Sequence, residues 1–190
     1  GIHATLSRTD GALSYLGSAS AQIHGQLRNG NNVYQPLSSF EQGHWLGKSN
    51  YKINEAWNIT TAYLGSRIQN AGRTDQLGRG DIRFYSNDDH FVYLRSVHRL
   101  QSPLKEVEAT LSFHRLDETI QRFTCSKNDN NVVESLVDCI QLKREHLTKE
   151  RQYNDRVDSL GMQLDSRWSF ASGRIRLLAG AETYFDSVDS

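Results

Sequence analysis

The chain has 190 residues, a formal net charge of zero at pH 7 and a mean hydropathy of −0.63. Its 22 basic residues balance its 22 acidic residues, so nothing in the charge points to a nucleic-acid partner. Hydrophobic residues make up only 37% of the chain, and no stretch approaches the roughly 18 consecutive apolar residues of a transmembrane helix.

The dominant pattern along the chain is period-two alternation, which predicts β-strands. In residues 13–27 one face is small and apolar, and the other face is polar apart from Leu16. The alternation recurs over residues 45–53, 59–68, 91–100, 107–113, 160–170 and 175–181. Several of these segments run about 10 to 15 residues, longer than the roughly 5 to 6 residues of an ordinary strand. We predict an all-β chain of about eight strands.

Short and long connections alternate between these strands. Short turns are predicted at residues 8–11, 54–56, 101–104 and 171–173, where Asp-Gly, Pro and Gly supply turn geometry in three of the four cases. Long polar connections are predicted at residues 28–43, 70–89 and 124–155. This order places every short turn at one end of an antiparallel up-and-down sheet and every long loop at the other end.

Strand length and loop asymmetry together predict a segment of a transmembrane β-barrel, with short periplasmic turns and long extracellular loops. A strand that crosses the membrane needs about 9 to 11 residues at its usual tilt. Aromatic residues near strand ends are expected to form girdles at the membrane interfaces: Trp45, Trp57, Trp168, Phe170 and Phe185. The alternative is a soluble antiparallel barrel or sandwich.

Charged residues occupy the polar side of several predicted strands. They are Arg95, Arg99, Glu108, Asp165, Arg167, Arg176 and Glu182. An Arg or Lys at the middle of the membrane costs roughly 2 to 4 kcal/mol, so this face is expected to line the lumen. There, opposite charges on neighbouring strands can pair across the sheet.

The sequence offers no recognisable catalytic or metal-binding motif. The seven histidines form no metal-ligand pattern, and the chain has no nucleophile elbow and no phosphate-binding glycine loop. We therefore expect no metal, no cofactor and no catalytic residue. Ser112 and His114 lie two residues apart on one predicted strand face, which leaves an outer-membrane barrel enzyme as an alternative.

The two cysteines of the chain, Cys125 and Cys139, lie in the longest predicted loop. Their spacing fits neither a redox motif nor a zinc site. A disulfide that closes this loop is the preferred interpretation, and two free thiols are the alternative. A bridge of this kind places the segment in an oxidising compartment.

The predicted loop at residues 72–89 is the candidate ligand-binding segment. It combines arginines with aromatic residues, and the residues chosen are Arg79, Arg83, Phe84 and Tyr85. Arginine and aromatic side chains together suit an anionic, ring-bearing ligand, through paired hydrogen bonds and stacking. The alternative is a solvated loop with ordinary aromatic packing.

Three stretches, taken in order, resemble successive hairpins of TonB-dependent outer-membrane receptors. The first is GKSNYKINEAWNITTAYLGSRIQNAGRTD, and the second is DDHFVYLRSVHRLQSPLKEVEATLSFHRLDETIQRF. The third runs from NDRVDSLGMQLDSRW to RIRLLAGAETYFDSVDS. The likeness covers most of residues 48–190 and is weaker before them.

This resemblance implies a barrel of about 22 strands around an N-terminal plug, of which residues 1–190 are expected to be an interior part, without the plug and the C-terminal strands. It also implies a Gram-negative outer-membrane transporter that is not an enzyme and takes up siderophores or other scarce nutrients. The implied partners are the TonB energy-coupling complex (through the plug), a metal–siderophore or similar nutrient, and the lipid bilayer with its lipopolysaccharide. A passive porin or adhesin barrel is a further alternative.

Overall fold

The computed structural model describes residues 1–73, 76–101, 103–128, 133, 135–142 and 146–190. Over these residues the chain is all-β, and eight strands form one antiparallel sheet in chain order. The strands are β1 (Ile2–Asp10), β2 (Leu13–His24), β3 (Phe40–Lys52), β4 (Trp57–Arg73), β5 (Asp81–Arg99), β6 (Leu104–Cys125), β7 (Leu147–Phe170) and β8 (Ile175–Asp189). The predicted up-and-down architecture is confirmed.

The sheet is open along both sides. In the described residues β1 pairs only with β2, and β8 pairs only with β7. Of the residues that the structure describes, only Leu136–Ile140 form an α-helix, α1, which lies in the connection between β6 and β7. Within the described ranges, no helix is both long and apolar enough to cross a bilayer.

Short and long connections lie at opposite ends of the sheet, as predicted. The short connections are at residues 11–12, 53–56, 100–103 and 171–174, and the longer ones are at residues 25–39, 74–80 and 126–146. Gly11 has a φ of +56° in the first turn, a conformation that glycine adopts without steric cost. In the second turn the side chain of Asn54 accepts hydrogen bonds from the backbone N–H groups of Ala56 and Trp57, each at 2.9 Å.

The predicted boundaries of the long loops were wrong, because the strands continue into them. Residues 70–89 were expected to be loop, yet β4 runs to Arg73 and β5 begins at Asp81. Likewise, β6 ends at Cys125, β7 begins at Leu147 and β3 begins at Phe40. Both faces of these extensions carry polar residues, so the hydrophobic period disappears although the backbone hydrogen bonds continue.

One face of the sheet, here called the apolar face, is covered with hydrophobic side chains from β2 to β8. The cross-strand register places on it, among others, Leu13, Tyr15, Ile59, Tyr63, Val92, Leu94, Ala109, Leu111, Phe113, Leu160, Met162, Leu164, Leu177 and Ala181. Most of these side chains are exposed; Leu111 is 46% and Leu177 is 52% exposed. No second layer of the described chain covers this face.

The five aromatic residues predicted to form girdles all lie on the apolar face. The register pairs Trp57 with His98, and it pairs Trp168 with Leu177 near the short-turn end. The ring of Trp45 packs closely against Gly65, where a Cβ would overlap Trp45 Nε1. The absence of a side chain at position 65 therefore makes room for the indole. On β1 this face carries Ile2 and Leu6, and also Arg8 and Asp10, which lie 3.6 Å apart beside the first turn.

The opposite face, here called the polar face, carries the charged residues that the sequence assigned to it. Arg95 Nε lies 2.5 Å from Glu108 Oε1 across the β5–β6 pair. Glu106 interacts with Arg99 at 3.7 Å and with Arg167 at 3.2 Å, so that it joins β5, β6 and β7. The predicted pairing of opposite charges across neighbouring strands is confirmed.

The strands are staggered in one direction across the sheet. A single cross-strand row runs through Tyr15, Leu94 and Met162. Tyr15 lies beside the turn at residues 11–12, whereas Met162 lies well along β7 from the turn at residues 171–174. A progressive stagger of this kind is what tilted strands need in order to close into a barrel.

The buried apolar cluster of the described chain lies at the long-loop end and not under the sheet. It contains Leu77, Ile82, Phe123, Cys125 and Cys139, all less than 10% exposed. We call these five residues the loop core. Within the described ranges the sheet itself therefore has a hydrogen-bonded ladder and cross-strand pairs, but no packed interior.

We predict that Gly72→Ala displaces the first long loop. A Cβ at position 72 would overlap the backbone carbonyl of Leu37, so either the loop or β4 must shift, at a cost of about 1 to 3 kcal/mol. Gly47→Ala is the matched control, because nothing lies within 4 Å of a Cβ there. Limited proteolysis of the complete protein should cut residues 25–39 faster in the Gly72 variant alone. Equal cleavage in both variants would contradict this packing.

Candidate functional site at the long-loop end

A disulfide joins the end of β6 to α1. Cys125 is the last residue of β6 and Cys139 lies in α1, and their Cα atoms are 5.7 Å apart. Both residues are almost completely buried, at 1% and 0% exposure. The predicted staple is therefore present, and it lies inside the loop core and not on the surface of the loop.

The backbone around Cys125 is fixed by a close approach to Gly80. The N–H of Cys125 donates to the carbonyl of Gly80 at 2.8 Å. Gly80 has a φ of +72°, and a Cβ there would lie 2.8 Å from Val133 Cγ2 and 3.0 Å from the Cβ of Cys125. Glycine is required here both by the left-handed conformation and by the space.

The loop core connects all three long loops. Leu77 comes from the connection between β4 and β5, and Cys139 comes from the connection between β6 and β7. Leu37, in the connection between β2 and β3, packs against the same cluster, as does Leu142. At the start of α1, Ser135 Oγ accepts a hydrogen bond from the Asp138 N–H at 3.3 Å and so caps the helix that carries Cys139. The loops therefore form one connected cap.

The four predicted ligand residues do not converge on one pocket. Phe84 is directed to the loop core and meets Phe123 edge-to-face, with ring centroids 6.2 Å apart. Arg83 and Tyr85 lie on the opposite, polar face, because neighbours in a strand alternate. Arg79 is exposed in a short 3-10 helix, with Nη1 3.4 Å from Gln76 Oε1. A ligand-binding role for these residues stays a prediction.

Arg83 forms part of a compact ionic cluster on the polar face. Arg83 Nη2 lies 2.5 Å from Asp81 Oδ2. Arg122, from β6, donates through Nε to Asp81 Oδ1 at 2.9 Å and through Nη2 to Oδ2 at 2.8 Å. Two guanidinium groups therefore share one carboxylate. Sequence reasoning missed Arg122 and Asp81, because they meet only through the β5–β6 register.

The ionic cluster changes the acidity of its members. Partial burial acts to raise the pKa of Asp81, but the hydrogen bonds from Arg83 and Arg122 outweigh it and bring the pKa below the ordinary 3.8. The hydrogen bond to Asp81 raises the pKa of Arg83. Asp81 is thus held as an anion between the two guanidinium groups.

Ser112 and His114, the pair on which a barrel enzyme was considered, take separate partners. His114 Nε2 lies 3.0 Å from Asp89 Oδ1, and the imidazole meets Phe91 edge-to-face. Ser112 Oγ donates to the carbonyl of Gly161 at 3.5 Å. Within the described ranges no Ser112–His114 hydrogen bond forms, and no group of three or more His, Cys, Asp or Glu side chains is placed to hold a metal ion.

The chain was compared with protein-family models, with curated proteins and with solved structures, and none of the three comparisons found a match.

Removal of the disulfide should loosen all three loops together. We predict that Cys125→Ala combined with Cys139→Ala costs about 3 kcal/mol, as expected for a closed loop of about 15 residues. Amide hydrogen exchange of the complete protein should then speed up around Leu37 and Leu77 as well as around Cys139. Acceleration confined to residues 126–146 would show that the loops are not coupled.

Stability should decline in acid through Asp81. Its pKa is lowered in the folded chain, so its contribution is fully present above pH 3.8 and is lost as the pH falls through the lower folded value. We expect Asp81→Asn to cost about 1 to 3 kcal/mol at neutral pH and to remove part of the acid-induced loss. Denaturant titrations of the complete protein at pH 7 and below pH 3.8 measure both effects. An unchanged pH profile in the variant would argue against this role.

Proposed function

We propose that the chain is part of the transmembrane barrel of a TonB-dependent outer-membrane receptor, a transporter and not an enzyme. The observation that carries this proposal is the apolar face, which is continuous, exposed and uncovered. Exposed apolar areas of this extent mark protein or membrane contacts. A lipid environment would cover the whole face, and full coverage of one Leu or Met stabilises by about 1.5 to 3 kcal/mol.

The height of the apolar band supports a membrane location. On β7 it runs from Leu160 to Phe170 along alternate residues, in agreement with the roughly 9 to 11 residues that a tilted membrane strand needs. On β6 it ends at Phe113, which is in register with Leu160. The band therefore stops at a common level on neighbouring strands.

Charged residues occupy the same face immediately beyond the band. Arg115 makes a bidentate pair with Asp158, with Nε–Oδ1 at 2.6 Å and Nη2–Oδ2 at 2.9 Å. Arg156 Nε lies 2.6 Å from Asp117 Oδ1, and Arg67 pairs with Asp88 on the neighbouring strands. We call these six residues the charged belt. In the proposed barrel they lie at the level of the lipid headgroups, where charge is tolerated.

The remaining features fit the same account. The one-directional stagger supports closure with further strands paired to the edges of β1 and β8, and about 22 strands is the size known for plugged transporters. The polar face would then line the lumen, next to the plug through which TonB acts. The disulfide suits a cap that crosses the oxidising periplasm before it reaches the cell surface. The cap would help to gather a scarce nutrient such as a metal–siderophore.

Two neighbouring substitutions on β7 test the orientation of the sheet. Met162→Arg places a charge in the middle of the apolar face and should cost about 2 to 4 kcal/mol in a bilayer. Gln163→Arg, on the polar face opposite Glu182, should be tolerated. The measurement is the yield of folded protein in the outer membrane, scored by heat-modifiable gel mobility. A soluble sheet would accept both, because Met162 is already 43% exposed.

The transport function itself is tested in cells. We expect a strain that lacks the complete protein to grow poorly when iron is limiting and one particular metal chelate is supplied, and we expect uptake of that chelate to require TonB. Normal uptake of every chelate, or recovery of the protein in the cytoplasmic fraction, would contradict the proposal.

A further inference from the structure

The first long loop contains a chemically reactive pair of residues that the proposed function does not use. Asn29 and Gly30 are the only asparagine–glycine pair in the sequence. In such a pair the backbone nitrogen of the glycine can attack the side-chain amide of the asparagine, because glycine has no side chain to crowd the attacking nitrogen. The geometry of the folded loop decides whether that attack is helped or hindered.

The backbone around the pair forms a tight turn from Asn29 to Val33, here called the Asn29 turn. The N–H of Asn32 donates to the carbonyl of Asn29 at 2.9 Å, and the N–H of Asn29 donates to the carbonyl of Val33 at 2.9 Å. Just outside the turn, Arg28 and Tyr34 form an isolated β-bridge, and the guanidinium of Arg28 lies 4.3 Å from the centroid of the tyrosine ring. The turn therefore fixes the backbone on both sides of the reactive pair.

Two backbone N–H groups are directed at the side-chain oxygen of Asn29. Oδ1 accepts a hydrogen bond from the N–H of Asn31 at 3.0 Å and another from the N–H of Val33 at 2.9 Å. When a nucleophile adds to Cγ, this oxygen takes up the negative charge of the tetrahedral intermediate. Fixed donors at this distance stabilise such a charge, as the donors of an oxyanion hole do in enzymes of acyl transfer. The turn therefore favours addition to Cγ of Asn29.

The attacking nitrogen and the leaving nitrogen are both unobstructed. Within the described part of the chain, neither the N–H of Gly30 nor Nδ2 of Asn29 makes a hydrogen bond. Nothing lies within 4 Å of a Cβ placed at position 30, so a ring has space to close between the two residues. Both residues are exposed, and water reaches them.

We propose that Asn29 is a self-modification site, at which the folded turn converts the asparagine into aspartate and isoaspartate. The nitrogen of Gly30 gives up its proton and bonds to Cγ of Asn29, the Cγ–Nδ2 bond breaks, and ammonia leaves. Water then adds to one of the two carbonyl groups of the resulting succinimide ring. If the new bond from Cγ to the Gly30 nitrogen opens, aspartate forms; if the original peptide bond opens, isoaspartate forms. Water is the only co-reactant, and nothing is oxidised or reduced.

The two products are expected to act differently on the loop. In aspartate the carboxylate still accepts from the N–H groups of Asn31 and Val33, and these hydrogen bonds become charge-assisted and stronger. In isoaspartate the main chain runs through Cβ and Cγ, and the longer link to Gly30 displaces the carbonyl that accepts from Asn32. Leu37, which packs against the loop core, follows in the same loop. Isoaspartate should therefore loosen the first long loop, whereas aspartate should not.

The rate of conversion in the folded and in the unfolded protein tests this proposal. The complete protein is incubated at mildly alkaline pH, either folded or in denaturant, and the peptide that contains residue 29 is analysed by mass spectrometry and by isoaspartyl methyltransferase labelling. We expect conversion to be about tenfold faster, or more, in the folded protein, because unfolding removes the two donors at Oδ1. Equal or slower conversion in the folded protein overturns the proposal.

Two glycine variants identify the attacking group. Gly30→Ala should slow conversion in the folded protein several-fold, because its methyl group crowds the attacking nitrogen. Gly25→Ala is the matched control: it makes the same change in the same loop, nothing lies within 4 Å of a Cβ there either, and conversion should be unchanged. Protease resistance of the sheet confirms that each variant is folded. An unchanged rate in Gly30→Ala would rule out attack by the Gly30 nitrogen.

Limited proteolysis after incubation tests the effect on the loop. Residues 25–39 should be cut faster in molecules that contain isoaspartate than in the Asn29→Asp variant, which represents the other product. Equal cleavage of the two would contradict the expected loosening. These results do not depend on whether the protein transports a nutrient, so this inference and the proposed function can fail separately.

Discussion

The structure depends on one long antiparallel hydrogen-bond ladder, which runs through eight strands in chain order. Because side chains alternate across each strand, a continuous register turns a loose sequence pattern into two chemically different faces. A slip of one residue in β6 or β7 would move Leu111 or Met162 to the polar face. The register thus determines where hydrophobic and charged side chains lie, although no layer of the described residues packs on the sheet to hold it.

Stability is divided unevenly along the strands. Towards the short turns the sheet needs an apolar environment to cover Leu111, Leu164 and their neighbours. Towards the long loops both faces carry polar residues, and there the loop core, the disulfide and the shared Asp81 carboxylate hold the strand ends together. In the proposed barrel, a bilayer around the first part and a stapled cap on the second would explain why a chain with 37% hydrophobic residues builds such long strands.

The sequence alone was sufficient to predict the features that depend on local alternation of apolar and polar residues. Trp168 and Phe170 on the apolar face, and the Arg95–Glu108 pair on the polar face, follow directly from period two. The outer halves of the strands could not be predicted, because polar residues on both faces remove the period. The ionic cluster of Asp81, Arg83 and Arg122 was missed for a different reason. Arg83 and Arg122 are far apart in sequence and meet only through the register.

The most direct test of the account is a depth profile along β7 of the complete protein in lipid bilayers. Spin labels at each position from 158 to 170 report collisions with oxygen, which dissolves in lipid, and with a water-soluble nickel chelate. The account predicts that oxygen accessibility alternates with period two, is high at even positions from Leu160 to Phe170, and falls sharply at Asp158. Equal exposure of odd and even positions to the nickel chelate would contradict a membrane-spanning sheet.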